Sequence, residues 1–96
     1  MRVDLIKYIN LIRELISNKI DADTYVGRYF QLFQDETGEM TDEEYNILNG
    51  LFCDADDSED VPELFPEFYI TEQELRNRAK VALKKLKKLV KNTEDK

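Results

Sequence analysis

Carboxylates gathered in one stretch are the side chains of this sequence most able to do chemistry. The stretch DADDSEDVPELFPEFY, residues 54–69, contains no Lys or Arg. Carboxylates can ligate calcium, work in pairs as general acid and base, or bind a basic partner in place of phosphate groups. The acids of this stretch are Asp54, Asp56, Asp57, Glu59, Asp60, Glu63 and Glu67.

A calcium loop is the first of these possibilities, because Asp54 and Asp56 have the spacing of its first two ligands. The sixth position would then be Glu59, where the turn needs Gly, and the twelfth would be Phe65, where a bidentate Glu belongs. Paired carboxylates that hydrolyse glycosides would need a cleft lined by aromatic side chains, which so small a helical chain does not indicate. We therefore expect no metal site and no catalytic carboxylates here.

Histidine is absent from the chain, which has 96 residues. This removes the commonest general base, the commonest transition-metal ligand and the Ser/His and Cys/His nucleophile pairs. The three glycines are isolated from one another, so no glycine-rich loop can hold a phosphate. The single cysteine, Cys53, follows Leu51 and Phe52 and is expected to be a buried or half-buried apolar residue. The sequence thus predicts no catalytic residue, no cofactor and no enzyme.

Three short strings repeat the chemistry that begins a helix. In ITEQEL, residues 70–75, Thr71 can cap the first turn, Glu74 can return the hydrogen bond, and Ile70 can pack on Leu75. The strings MTDEEY, residues 40–45, and IDADTY, residues 20–25, repeat the cap and the apolar pair. Three helices are therefore predicted to begin near residues 22, 42 and 72.

Apolar residues recur at helical spacing in four segments and nowhere alternate as in a long strand. The first segment starts close to the N-terminus and is expected to end near residues 17–19. Together the segments predict an all-α, antiparallel four-helix bundle formed by one domain over residues 1–96, with a long acidic connection from about residue 57 to 70. The four stripes are Leu5, Ile9, Ile12 and Ile16; Val26, Tyr29, Phe30 and Phe33; Leu48, Leu51, Phe52 and Ala55; and Leu75, Ala79, Ala82, Leu83, Leu86 and Val90.

Charge is distributed unevenly along the chain, whose net charge is −7. Residues 29–75 carry fifteen acids and no base, whereas residues 76–96 carry nine bases and two acids. A surface that serves only solubility usually mixes both signs, so the missing counter-charge favours a basic partner over a merely solvated surface.

The lysine-rich end of the last helix allows a second interpretation. A basic amphipathic helix can bind a membrane surface or nucleic acid, but this one has no interleaved aromatic residues. Cations in the last turns also complement the helix dipole and can offset neighbouring acids, which is the interpretation we favour. We expect no direct binding of nucleic acid and no membrane association. No membrane span or secretory signal can be placed in the sequence, which predicts a cytoplasmic protein.

Four groups of residues resemble the colicin D-like bacterial immunity proteins over about residues 5 to 90. This resemblance implies a four-helix bundle that binds a cognate tRNA-cleaving toxin domain and blocks its cleft with acids in place of RNA phosphates. Similar proteins accompany bacteriocins and the toxins of contact-dependent growth inhibition. The groups are Lys19-Ile20-x-Ala22, Tyr29-Phe30-x-Leu32-Phe33, Ile47-Leu48-x-x-Leu51-Phe52-x-Asp54-x-Asp56 and Ile70-x-x-x-x-Leu75-Arg76.

Taken together, the residues and the resemblance predict an immunity protein that neutralises a nuclease toxin by electrostatic mimicry. The expected contacts are the seven acids of residues 54–67, with Asp42 and Glu43 at the start of the third helix as second choices. Phe65, Phe68 and Tyr69 either pack under the connection or anchor the interface. The alternative is an acidic helical adaptor, or a mimic of DNA, that binds another basic protein. The sequence leaves self-association open.

Overall fold

A computed structural model describes residues 1–58 and 70–94 of the chain. It contains four helices: α1 (Leu5–Ile16), α2 (Ala22–Gln34), α3 (Asp42–Ser58) and α4 (Glu72–Glu94). Within these residues the only β-type pairing is an isolated bridge between Arg2 and Glu39, so no strand forms. The all-α prediction is confirmed. Most of the predicted acidic connection lies outside the described residues, and α3 continues to Ser58.

The helices α2, α3 and α4 begin where their capping strings predict. The carboxylate of Asp21 accepts a hydrogen bond from the Thr24 amide at 2.8 Å. At α3 the capping box is complete, because the Thr41 hydroxyl accepts from the Glu44 amide and the Glu44 carboxylate accepts from the Thr41 amide. At α4 the hydroxyl of Thr71 accepts from the Glu74 amide at 3.1 Å. The Glu74 carboxylate, predicted to return that bond, accepts instead from Arg78.

The end of α1 is set by Asn18, which adopts a positive φ of 62°. The amide of Asn18 donates to the Leu15 carbonyl, and the amide of Lys19 donates to the Glu14 carbonyl. These two bonds form a Schellman motif, in which a left-handed residue turns the chain and satisfies the last carbonyls. Asn tolerates this conformation better than most residues other than Gly. The predicted end near residues 17–19 is confirmed.

Each helix packs against two others: α1 against α2 and α4, and α3 against α2 and α4. This supports the predicted bundle, while the antiparallel direction stays a prediction. The core includes at least half of each predicted stripe, and three of its side chains are tyrosines with no exposed surface, Tyr8, Tyr25 and Tyr29. The Tyr29 hydroxyl donates to the Leu48 carbonyl at 2.6 Å, which joins α2 to α3 inside the core.

One residue of α3, Cys53, differs from its predicted environment. Cys53 is exposed, so the prediction of a buried or half-buried thiol is wrong. The reason is helical periodicity, since Cys53 lies two residues from both Leu51 and Ala55 and points about 160° away from that buried face. Tyr45 is half-exposed and its ring contacts Phe33, while its predicted packing on Met40 stays a prediction.

The N-terminal residues are joined to the loop before α3. The Val3 amide donates to the Glu39 carbonyl at 3.0 Å, and the Glu39 amide donates to the Met1 carbonyl at 2.8 Å. Gly38 makes this approach possible, because a Cβ atom at that position would lie 2.5 Å from the Val3 Cα atom. This junction holds Arg2 beside the start of α3. No helix within the described residues is long and apolar enough to span a membrane.

Candidate protein-binding surface

The predicted contact residues of α3 lie at its two ends. Asp42 and Glu43 are exposed in the first turn, while Asp56 is exposed and Asp57 half-buried in the last turns. At 1.5 Å per residue, the two ends are about 20 Å apart along the helix. None of these four carboxylates forms an ion pair with another described residue. Helix α3 therefore presents two separate negative patches rather than one.

Asp54 has a different environment from its neighbours in the sequence. Its carboxylate lies 2.8 Å from Arg78 Nη1 of α4, and only 19% of its side chain is exposed. The same Arg78 also donates to Glu74 at 3.1 Å, and these two hydrogen bonds raise the pKa of the guanidinium. Asp54 also lies near the buried hydroxyl of Tyr25, for which the described residues provide no hydrogen-bond partner. The structure thus places Asp54 in a contact between α3 and α4.

The remaining predicted contacts cannot be located relative to these residues. They lie outside the described part of the chain and stay predictions. The environment of Phe65 and Tyr69 stays a prediction for the same reason. The remaining predicted contacts are Glu59, Asp60, Glu63, Glu67 and Phe68.

Two further acids of residues 29–75, the buried Glu44 and the half-buried Glu36, are paired with cations near the N-terminus. Arg2 Nη2 lies 2.6 Å from the Glu44 carboxylate, and Lys7 Nζ lies 2.8 Å from the Glu36 carboxylate. The Tyr8 hydroxyl also donates to Glu36 at 2.7 Å. The sequence did not indicate these ion pairs, because each cation is distant from its acid along the chain. No local spacing connects Arg2 with Glu44.

The pKa values of these two acids reflect opposing effects. Burial alone would raise the pKa of Glu36, but hydrogen bonds from Lys7, Tyr8 and the Gly38 amide lower it below its ordinary value. Burial would likewise raise the pKa of Glu44, but the Thr41 amide and Arg2 lower it. Both carboxylates are therefore held in their charged forms inside the fold.

The lysines of α4 form no ion pair with the acids of α3 among the described residues, so their predicted role in offsetting those acids stays a prediction. Arg76 and Arg78 instead pair with acids, among them Glu72 and Glu74 of their own helix. Among the described residues, no ion pair includes any of the following side chains: Lys80, Lys84, Lys85, Lys87, Lys88 and Lys91. Charge is thus separated, with unpaired acids on α3 and unpaired lysines on α4.

The described residues also contain no group of three or more acids or thiols placed to hold a metal ion. Several shallow depressions lie between the helices, and the one between α3 and α4 has a volume of about 280 Å³. Its lining includes Asp54 and Arg78, which already bind each other. What distinguishes the surface is therefore its unpaired charge, which is suited to contact with a protein of opposite charge.

These features describe a small all-helical protein with a locally acidic surface on α3. A family model described as bacterial self-protective colicin-like immunity matches residues 3–86. The chain therefore belongs to the colicin-like immunity family, whose members neutralise toxins. No curated protein and no solved structure matches the chain significantly. The resemblance to immunity proteins is confirmed at this level, while its colicin D-like character stays a prediction.

Proposed function

We propose that the chain neutralises a nuclease toxin that cleaves tRNA, acting in the cytoplasm and without catalysis of its own. In this proposal the acids of α3 and of the following segment cover the basic cleft in which the nuclease binds RNA. The antiparallel bundle serves as a rigid support for these acids. The toxin would be the active domain of a bacteriocin or of a contact-dependent inhibition system.

The observation that carries this proposal is the set of unpaired acids on α3. Most acids that pack against other helices have cationic partners, as Glu36, Glu44 and Asp54 do. The acids at the ends of α3 have none among the described residues, although nine bases follow in residues 76–96. Carboxylates fixed on a helix and lacking partners can replace the phosphates that a basic nuclease cleft binds.

The experiment compares two variants that each lose four negative charges. One carries Asp42→Asn, Glu43→Gln, Asp56→Asn and Asp57→Asn. The control carries Glu14→Gln, Asp23→Asn, Asp35→Asn and Glu39→Gln, all outside α3. Both variants have the same net charge, so they separate the local effect from overall attraction. The partner is the active domain of the toxin encoded beside this chain.

At low salt the α3 variant should associate with the toxin domain about tenfold or more slowly than the control variant. The difference should shrink as salt is added, because screening weakens the interaction that was removed. The parent should protect tRNA from the toxin, and the α3 variant should protect it less well. Equal association rates of the two variants at both salt concentrations would show that α3 is not the contact surface.

The alternative, a mimic of DNA, is tested with the same reagents. If the parent chain inhibits a toxin domain that cuts DNA and leaves tRNA intact, DNA would replace tRNA as the substrate of the toxin. A chain that binds the toxin domain without protecting any nucleic acid would favour the adaptor interpretation.

A further inference from the structure

A row of aromatic rings lies on the surface between α2 and α3. The ring centroids of Tyr45 and Phe33 are 6.5 Å apart, those of Phe33 and Phe52 are 5.5 Å apart, and those of Phe52 and Phe30 are 5.1 Å apart. Half of the Tyr45 surface is exposed, and the three phenylalanines are partly buried against the core. We call these four residues the aromatic row.

The aromatic row packs on buried side chains of the core. Phe33 stacks on the fully buried Tyr29 with a centroid distance of 6.1 Å and an interplanar angle of 27°. Tyr29 is in turn fixed by its hydrogen bond to the Leu48 carbonyl. Rings that are already ordered lose little conformational entropy when a partner binds them, which favours affinity.

Unpaired carboxylates lie at both ends of this row on α3. Asp42, Tyr45, Phe52 and Asp56 fall within about 80° of one another around the helix axis, because their spacings are three, seven and four residues. Asp42 and Asp56 are exposed. The faces of aromatic rings and nearby carboxylates both attract cations, and arginine can stack on the ring while it pairs with the acid.

Two of the other exposed apolar side chains of the described residues, Val81 and Ile6, have the opposite surroundings. Val81 shares a depression with Arg78 and Lys85, and Ile6 shares one with cations of α1 and α4, including Lys87. A basic partner would be repelled from both of these positions. Charge complementarity therefore favours the aromatic row over the surfaces around Val81 and Ile6.

We infer that the aromatic row is the anchor on which arginine side chains of the toxin domain stack, with Asp42 and Asp56 pairing with them at its ends. This inference deepens the proposed function and rests on it. Electrostatic steering by the acids sets the association rate of the toxin domain, while contacts with the ordered rings set its dissociation rate.

The test measures the dissociation rate of the toxin domain from variants of the parent chain. Tyr45→Ala should raise the dissociation constant about tenfold, mainly through faster dissociation, and this effect should persist at high salt. Tyr45→Phe should bind like the parent, because it keeps the ring. Val81→Ala is the matched control, since 55% of the Val81 surface is exposed against 50% for Tyr45, and it should change binding less than twofold.

Phe52→Leu provides a second variant, which keeps an apolar side chain of similar size but removes the ring. It should also dissociate faster than the parent. Thermal unfolding, monitored by circular dichroism, identifies any variant that has lost its fold. Because Tyr45 is half-exposed, we expect Tyr45→Ala to remain folded.

The outcomes separate this inference from the proposed function. If the parent chain fails to bind the toxin domain, the proposed function fails. If the parent binds and the variant with four α3 acids replaced associates slowly, while Tyr45→Ala dissociates no faster than Val81→Ala, the aromatic row is not the anchor and the proposed function stands. Faster dissociation of both Tyr45→Ala and Phe52→Leu, with Tyr45→Phe unchanged, supports the inference.

Discussion

The described acids of residues 29–75 include two groups that the sequence does not distinguish. Glu44 is buried, Glu36 is half-buried with 6% of its side chain exposed, and each is paired with a cation near the N-terminus, Arg2 or Lys7. Asp42 and Asp56 are exposed and have no ion pair among the described residues. Asp42 and Glu44 are only two residues apart, yet one faces solvent and the other is in contact with Arg2.

This difference shows that a run of like charges is not a single functional unit. An acid that faces a neighbouring segment needs a counter-charge or several hydrogen bonds, because an uncompensated buried charge is costly. An acid on the outer face of a helix has no such requirement and remains available to a partner. Helical periodicity around α3 thus decides which neighbouring acids are paired inside the fold and which stay exposed.

The largest effect on folding is expected at Glu44. Replacing Glu44 with Gln keeps an acceptor for the Thr41 amide but removes the charge that binds Arg2, and only 4% of the Glu44 side chain is exposed. We expect a loss of about 1–3 kcal/mol in the free energy of unfolding at neutral pH. Urea unfolding of the variant and the parent measures this. An unchanged midpoint would show that the paired acids contribute no more to stability than the exposed ones.

The pH dependence of stability should identify the same group. The pKa values of Glu36 and Glu44 are lower in the fold than their ordinary value of 4.5. The folded state therefore binds fewer protons than the unfolded state, so the stabilisation is fully present above about pH 4.5 and is lost as the pH falls through the lower folded values. Unfolding at a series of pH values should show the difference between the parent and Glu44→Gln decreasing below pH 4.5. A difference that stays constant down to pH 2 would contradict this assignment.

A smaller effect separates Asp54 from Asp56, which the sequence places in one cluster. Asp54→Asn removes the ion pair with Arg78, a partly exposed contact that we expect to contribute about 0.5–1 kcal/mol. Asp56→Asn removes no ion pair of the described residues and should change the free energy of unfolding by less than about 0.5 kcal/mol. Denaturant titrations of the two variants provide the measurement. The reverse order of effects would place Asp54 among the residues free to bind the partner.

The helices themselves could be predicted from local residues. Caps such as Asp21, Thr41 and Thr71 act on amides within three residues, so their sequence strings contain nearly all the interacting groups. The apolar stripes are equally local, because one helical period decides which residues share a face. Cys53 was predicted from its apolar neighbours in the sequence and not from the helical period. It is exposed because residues adjacent in the sequence do not share a helix face.

The candidate surface could be predicted only in part. The sequence singled out the acids of α3 and the segment after it, but it treated Asp54, Asp56 and Asp57 as equivalent. Their difference arises from Arg78, which lies 24 residues from Asp54 and meets it only because α4 packs on α3. The three phenylalanines of the aromatic row were interpreted as core, because helical spacing shows which residues share a face and not how much of each ring remains uncovered.

The sequence by itself determined where the helices begin, which faces are apolar, and that charge is segregated between residues 29–75 and residues 76–96. Each of these depends on interactions within a few residues or on composition alone. Only the tertiary structure decided which acids are neutralised and which remain free. That outcome depends on contacts such as Arg2 with Glu44, 42 residues apart, which form only when the helices pack. Ion pairing falls off steeply with distance in water, so it is determined by the folded neighbours of a charge and not by its position in the chain.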